Sequence, residues 1–394
     1  MNASEPVKWR GVFLEPLDVL FFRDGRPFDS TNRVVSVLPT PQTVAGAIRS
    51  HWLGASGFSR SKIKNYQGDI VSALRAAGAD AKILDARFRG PWLAGGDCAN
   101  AGARPLLPCP MNLKTSKDDP DRWLVALPTD RGESPEDGWQ HADGLWPLEF
   151  PSDPDPKFES VLLTPSGFRK YQQHLDLPAA ARNGFSLIKG DDYLEPDAIY
   201  STDHRIGIAI DPKSLATIKG ELYGIGLLAL RPGFGMHIEI EMPDSLAELL
   251  DGKSFPFGGE GKCVRACVMD EPIFSPADEP AGQPRMTYLA TPTFLTKPTP
   301  LATAKTPHRP LPPSGIGTIR GAASDRPLAV SGWDVARGGP RATRFAVPAG
   351  AVYFWDGPVK VEGLIGDIPD RDARLQEGWG FAIPANWNAG ASSE

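Results

Sequence analysis

The 394-residue sequence predicts an α+β protein built twice on the strand–helix–strand–strand–helix–strand ferredoxin-like plan, with a large insertion in the first unit. Three observations predict it. Strand-like and helix-like runs follow one another in that order once residues 55–200 are set aside. Two Gly-rich loops, Gly258–Lys262 and Glu377–Phe381, each run into a short final strand. The chain also exceeds what one hydrophobic core usually serves, so two units, 1–270 and 271–394, are the natural division.

Taken in order, Lys8–Arg23 reads as a long strand rich in Val, Phe and Leu, bent at Pro16. Asp24-Gly25-Arg26-Pro27 is turn chemistry, and Val34–Leu38 is a short apolar run. Thr40 and Pro41 then open a helix over about Gln42–Trp52. A hydroxyl N-cap precedes a proline at the first helical position, where a missing N–H costs least. Val44, Ile48 and Trp52 recur at i, i+4 and i+8, which makes one buried face.

Residues 55–196 are rich in Pro, Gly, Trp and acids and poor in periodic segments, so they read as inserted loops with one helix at Ser166–Leu175. Strand patterning returns at Ser201–Ile210 and Glu221–Met242. A helix at Ser245–Leu250 and a strand at Cys263–Met269 complete the first unit. The second unit repeats the order more weakly. Its strands read as Met286–Leu295, Leu328–Val335 and Phe345–Phe354, with a helical turn at Asp370–Gln376 and a last strand at Ala382–Ile383.

No run approaches the roughly 20 apolar residues of a membrane span. Val12–Phe22 comes nearest, and Glu15, Pro16 and Asp18 break it and spoil it as a signal peptide. Four cysteines, at 98, 109, 263 and 267, are too few for a disulfide framework in so long a chain. Cys263 and Cys267, four steps or roughly 13 Å apart on one strand, can share neither a zinc ion nor a disulfide without a sharp bend. The thiols therefore read as buried or inert, the compartment as a reducing cytoplasm, and no metal or cofactor is expected.

The net charge of −6 hides an uneven distribution. Residues 116–160 carry twelve acids against four bases, and the remainder of the chain is slightly basic. From Lys297 to Arg344 eight bases, among them Arg309, Arg337 and Arg341, face only Asp325 and Asp334. Such a stretch in an acidic chain can serve as a phosphate footprint, or it can be scattered, solvated surface charge.

Seven segments, in order, carry a family resemblance: Leu17–Phe28 (LDVLFFRDGRPF), Pro39–Arg49 (PTPQTVAGAIR), Asp203–Asp211 (DHRIGIAID), Gly220–Tyr223, Phe257–Gly261, Ser331–Asp334 and Val347–Phe354. Together they resemble the Cmr subunit-three family, a Cas-five-like branch of the repeat-associated mysterious protein (RAMP) superfamily in type III-B CRISPR complexes. The resemblance implies a tandem ferredoxin-like (RRM-like, RAMP) fold. It implies a subunit that binds the 5′ tag of crRNA and bridges the large Cas-ten-like subunit to the first backbone (Cas-seven-like) subunit. Target RNA would be met only through the assembly, and cutting would fall to the backbone subunits, so this subunit is expected to be non-catalytic.

The residues themselves offer anion-binding groups. The helix entry at Thr40–Val44 presents unpaired N–H groups and the positive end of the helix dipole, with the Thr40 and Thr43 hydroxyls beside them. Arg49 would join if it projects toward that end. The alternative is a plain cap and an exposed arginine. Arg23 and Arg26 flank the same helix at a turn and match phosphate geometry, unless that turn is merely solvated.

In the loop Gly258, Gly259, Gly261 and Lys262, a backbone without Cβ can approach an anion and a cation stands at its end, although a plain turn looks the same. Trp379 can stack on a base or anchor a core. His204-Arg205 and His308-Arg309 complete the candidate RNA-binding set, the latter in the Pro-rich basic run Lys297–Pro313. A RAMP endoribonuclease using His204 or His51 as general acid/base is the competing reading. A carbohydrate-active enzyme with paired carboxylates is a third, weakened because the acids gather in a loop-like region.

Overall fold

The fold is described from a computed structural model over residues 5–23, 34–59, 70–98, 102–130, 145–150, 157, 160–178, 181–211, 213–214, 216–274, 283–295, 317–334, 339–359 and 363–387. It is a mixed α/β structure, mostly sheet with few helices. The candidate residues Arg26, His308, Arg309 and Arg337 lie outside the described residues, as do seven of the twelve acids of residues 116–160 and the basic run 297–313.

The first strand, β1 (Val7–Pro16), is buried from Arg10 to Leu14 because it lies inside a sheet with both faces covered. Helix α1 (Pro41–Ala55) buries Val44, Ile48 and Trp52, the face the spacing predicts. Next come β2 (Arg87–Asp97), β3 (Gly102–Pro108) and α2 (Pro165–Asp176). They are followed by β4 (Tyr200–Ile210), β5 (Thr217–Leu230), β6 (Phe234–Pro243), α3 (Asp244–Leu250) and β7 (Cys263–Met269). The C-terminal part supplies β8 (Met286–Leu289), β9 (Ile319–Ala323), β10 (Val352–Trp355), α4 (Arg371–Glu377) and β11 (Ala382–Ala385).

The larger sheet has eight strands, in the order 193–194, 162–163, β3, β2, β6, β1, β7, 254–256. Its central four, β2-β6-β1-β7, are antiparallel throughout. On one face Val12, Leu14, Ile238, Ile240 and Val264 pack with Val44, Ile48 and Trp52 of α1 and Leu246 and Leu250 of α3. The Trp52 indole N–H donates to the Leu246 carbonyl at 3.0 Å and ties the two helices together. In the C-terminal part the sheet order is β9-β10-β8-β11, again antiparallel, with α4 entering just before the last strand.

Three expectations are corrected. The second core strand is β2 and not Ser201–Ile210. It lies inside the stretch read as an insertion, where Pro91 and three glycines conceal it. The ladder shifts register opposite them, between His237 and Glu239, so Pro91 sits at an irregularity where a missing N–H is tolerated. Gly90, at φ +98°, is required there, and a Cβ on it would meet the His237 carbonyl at 3.1 Å. Second, Glu221–Met242 is two strands, divided by a turn at Arg231–Gly233 whose glycine has φ +82°. β4 and β5 instead pair with each other as a long ribbon.

Third, the cysteines are not all inert thiols. Cys98, just past β2, forms a disulfide with Cys267 on β7, their Cα atoms 5.5 Å apart across 169 residues of sequence. Spacing along one strand could not reveal a partner so distant in the chain. Cys109 and Cys263 are free. Alkylation under denaturing conditions is therefore expected to label two thiols without reductant and four after reduction, as read by intact mass. Four labels without reductant would count against the bond.

The two parts of the chain share a core. Trp92, Leu107, Trp123, Phe168 and Tyr171 pack in one cluster with Met286, Tyr288, Val352 and Phe354. On the second face of the large sheet Glu239, fully buried, accepts hydrogen bonds from the Ile273 and Phe274 amides, each at 2.7 Å. Arg89 donates to the Phe274 carbonyl at 3.2 Å. The Phe274 ring in turn packs on Trp92 and Phe381. Among the described residues, no helix is long and apolar enough to cross a membrane.

Candidate nucleic-acid cleft

A cleft of about 560 Å³ opens between the amino end of α1 and the C-terminal part, within the range of roughly 300–1,000 Å³ usual for ligand sites. One wall is Phe22-Arg23, Ser36–Thr40 and Thr43. The floor is Pro91–Leu93 of β2, with Tyr200 and Leu228 at the base of the β4–β5 ribbon. The far wall is Pro327–Ser331 with Pro348 and Ala349. These walls are largely apolar, which suits the face of a base, while Arg23 and the two threonines bring polar groups to the near wall.

Thr40 is extended (φ −82°, ψ 159°), and Pro41 follows it at the head of the helix. Its hydroxyl closes no cap onto the first turn and lies instead 3.0 Å from the Thr43 hydroxyl. The amino end of α1 thus faces the cleft without a side-chain cap. The Thr43 and Val44 amides already donate to the Thr40 carbonyl at 2.9 and 3.3 Å, and Pro41 has no N–H. The helix dipole, and not the row of unpaired N–H groups expected, therefore favours an anion there. The wall carrying Arg23 is fixed by a hydrogen bond from the Phe22 amide to Ser36 Oγ at 2.9 Å and by one from the Val37 amide to the Phe22 carbonyl at 3.0 Å.

The first Gly-rich loop stands behind that wall. Gly258 has φ +82°, and a Cβ on it would lie 2.5 Å from the Phe21 carbonyl, which accepts the Gly259 amide at 2.8 Å. Glycine is needed here for close packing on Phe21. Gly261, also at positive φ, turns the chain back, and the Phe257 amide reaches the Lys262 carbonyl at 2.7 Å. The Lys262 ammonium pairs with Asp18 at 2.6 Å and holds that carboxyl below its usual pKa. The loop therefore supports the Arg23 segment, and the Lys262 cation is committed to Asp18 instead of standing open to phosphate.

Two further candidates are corrected by burial. Arg49 is 9% exposed and donates to the Leu84 and Ala86 carbonyls at 3.4 and 3.0 Å, with its guanidinium over the Phe88 ring. It pins α1 to the segment before β2 and projects away from the helix entry. Trp379 is 1% exposed, packs on Phe294, and donates its indole N–H to Glu377 at 3.1 Å, so it is a core anchor and not a stacking platform.

His204 and Arg205 lie exposed on the ribbon, where Arg205 pairs with Asp203 at 2.8 Å. Arg341 stands behind the far wall. Its amide donates to the Gly332 carbonyl at 2.7 Å, and its carbonyl accepts from Ser331 Oγ at 2.9 Å. The cleft thus brings together Arg23, Thr40 and Thr43 from the sequence-derived set.

Sequence reasoning missed the far wall, although Ser331–Asp334 and Val347–Phe354 stood out as segments. Nothing local in them signals a site, because what they bring to the cleft is only Ser331, Pro348 and Ala349. It read Ser201–Ile210 as a strand carrying His204 and Arg205 but missed its exposed apolar row, in which Ile206, Ile208 and Ile210 are 77%, 49% and 54% exposed. The three alternate along β4, and that alternation was the available signal.

Residues 12–382 match the family model described as CRISPR-associated protein (Cas_Cmr3). Among solved structures, a chain of the type III-B Cmr-beta structure bound to cognate target RNA and AMPPnP is 17% identical, with a TM-score of 0.50. The match covers 87% of this chain and 86% of that one. A chain of Cmr-beta bound to cognate target RNA alone gives a TM-score of 0.50 at 16% identity over the same shares. At such identity the likeness speaks for the fold. No curated protein sequence matches the chain.

Proposed function

The chain belongs to the Cas_Cmr3 family of CRISPR-associated proteins, and on that premise we propose that it is a non-catalytic subunit of a type III-B effector that holds the 5′ tag of crRNA. In this reading it sits between the large Cas-ten-like subunit and the first Cas-seven-like backbone subunit, and meets target RNA only through the assembly. The observation that carries the RNA-holding role is the cleft itself. The amino end of α1, which has no side-chain cap, and Arg23 line the cleft where a phosphate would sit, and the apolar residues of its walls would receive bases.

The strand orders β2-β6-β1-β7 and β9-β10-β8-β11, each with a helix ahead of its last strand, support reading the chain as two ferredoxin-like units. Residues 1–270 and 271–394 are their natural limits. Support for a non-catalytic role comes from one of the two histidines that a nuclease of this fold would use, the other, His204, being exposed on the β4–β5 ribbon. His51 holds the Leu249 carbonyl at 2.9 Å and stacks on Phe255. His174 and His237 are buried.

Fluorescence anisotropy with labelled crRNA tests the reading. Binding is expected to depend on the tag, to weaken with salt, and to leave the RNA uncut. Arg23→Gln should flatten the plot of log affinity against log salt by about 0.7, one phosphate contact on a single strand. Arg49→Met should leave that slope unchanged. Cleavage that disappears in His204→Ala or His51→Ala would sink the non-catalytic assignment.

A further inference from the structure

Gln42 lies between the two threonines of the α1 entry, yet its side chain reaches out of its own half of the molecule. Its amide Nε2 donates to the Ser331 carbonyl, in the far wall of the cleft, at 2.8 Å. Its Oε1 accepts from Arg374 Nη1 on α4 at 2.5 Å. The fit is close, since a Cβ added to Gly332 would stand 3.3 Å from Gln42 Nε2.

Arg374 is itself fixed. It is 6% exposed, donates to Asp370 at 2.9 Å and Glu377 at 3.2 Å, and lies over the Phe294 and Trp379 rings. Asp370 also receives both bonds of Arg344, at 2.8 and 2.9 Å. One neutral amide therefore ties three separate pieces together: the helix entry, the far wall, and the half-buried ionic cluster around Arg374 that adjoins the second Gly-rich loop. The amide side chain supplies a donor on one atom and an acceptor on the other, and Gln42 uses both. Glutamate would keep the bond to Arg374 and turn an oxygen toward the Ser331 carbonyl, and alanine would lose both bonds.

We propose that Gln42 is a positioning residue for the RNA-holding cleft, a brace that fixes the distance between the α1 entry and the Leu328–Ser331 wall and so sets discrimination for the crRNA tag. The proposal rests on the function proposed above. In it the second Gly-rich loop acts on RNA at a distance, through Glu377, Arg374 and Gln42.

The test compares labelled crRNA carrying its repeat-derived 5′ tag with the same RNA carrying a scrambled tag, using the full chain and its Gln42→Ala and Gln42→Glu variants. Both variants are expected to lose about fivefold to tenfold of the preference for the true tag, the equivalent of one hydrogen bond, with affinity for scrambled RNA and its salt slope unchanged. RNA binding is measured well below the melting temperature of each variant, and Gln42→Glu keeps its link to Arg374, so a loss of preference cannot be put down to unfolding.

In the RNA-free chain, amide hydrogen exchange over 328–332 should quicken in both variants. Wild-type preference retained by both variants, including the case in which affinity falls in equal measure for both RNAs, overturns the brace alone. A wild-type chain that binds the two RNAs equally overturns the tag-holding function, and the brace with it.

Discussion

Ala349→Trp is expected to weaken binding of tagged crRNA by about ten- to a hundredfold while leaving the protein folded. Ala349 is half-buried in the far wall of the cleft. The backbone around it is pinned from both sides. The Val347 amide donates to the Thr293 carbonyl at 2.7 Å, and the Gly350 amide to the Leu289 carbonyl at 2.8 Å. Gly350 is at φ +91°, and a Cβ there would meet the Cys109 carbonyl at 2.8 Å. A wall held this way cannot swing aside, so the indole has to occupy the space proposed for a base. Displacing one stacked base costs about 1–3 kcal/mol, the range just given. Anisotropy titration measures the affinity and circular dichroism the fold. Wild-type affinity in a folded Ala349→Trp protein would place the tag somewhere other than this cleft.

Trp379→Ala is expected to destabilise the protein by about 4 kcal/mol, the usual cost of removing a large aromatic side chain from a packed core. The indole fills the cluster formed with Phe294, Val330, Ala346, Ile365 and Ile368. It lies 4.6 Å from the Phe294 ring and supports Arg374. Glu377 would lose a bond partner as well. The urea midpoint should therefore fall sharply. Trp379→Phe, which keeps one six-membered ring but loses the pyrrole half with its N–H, should cost about half as much, roughly 2 kcal/mol. A stacking role would give the opposite pattern, with an unchanged midpoint and weakened RNA affinity, and these two measurements separate the cases.

Local signals and tertiary ones divide the readable from the unreadable here. Helix α1 was legible because proline, threonine and an i, i+4, i+8 apolar face all belong to one short segment. The short helix ahead of the last strand was legible for the same reason. β2 was not, because RFRGPWLAGGD has the composition of a loop, and only its partners on β6 and β3 make it a strand. Site residues divide in the same way. Thr40, Thr43 and Arg23 are named by the helix entry and the turn beside it, and the cleft brings them together. Arg49 looks exposed in sequence because its acceptors, the Leu84 and Ala86 carbonyls, arrive from 35 and 37 residues away. Gln42 carried no signal, since its partners lie 289 and 332 residues downstream.

The core shared between residues 92–187 and 286–387 has a consequence for how such a chain can vary. A segment that merely hung from a loop could be traded between relatives like a cassette, or deleted, with the remainder indifferent to the exchange. Here Trp92 donates its indole N–H to the Ala290 carbonyl at 2.9 Å, and Tyr171 is packed under the β8–β10 sheet. A chimera that imports residues 87–187 from one parent must therefore import a matching 286–387 surface from the same parent. Crossovers that keep those two blocks together should yield folded chimeras, and those that separate them should not.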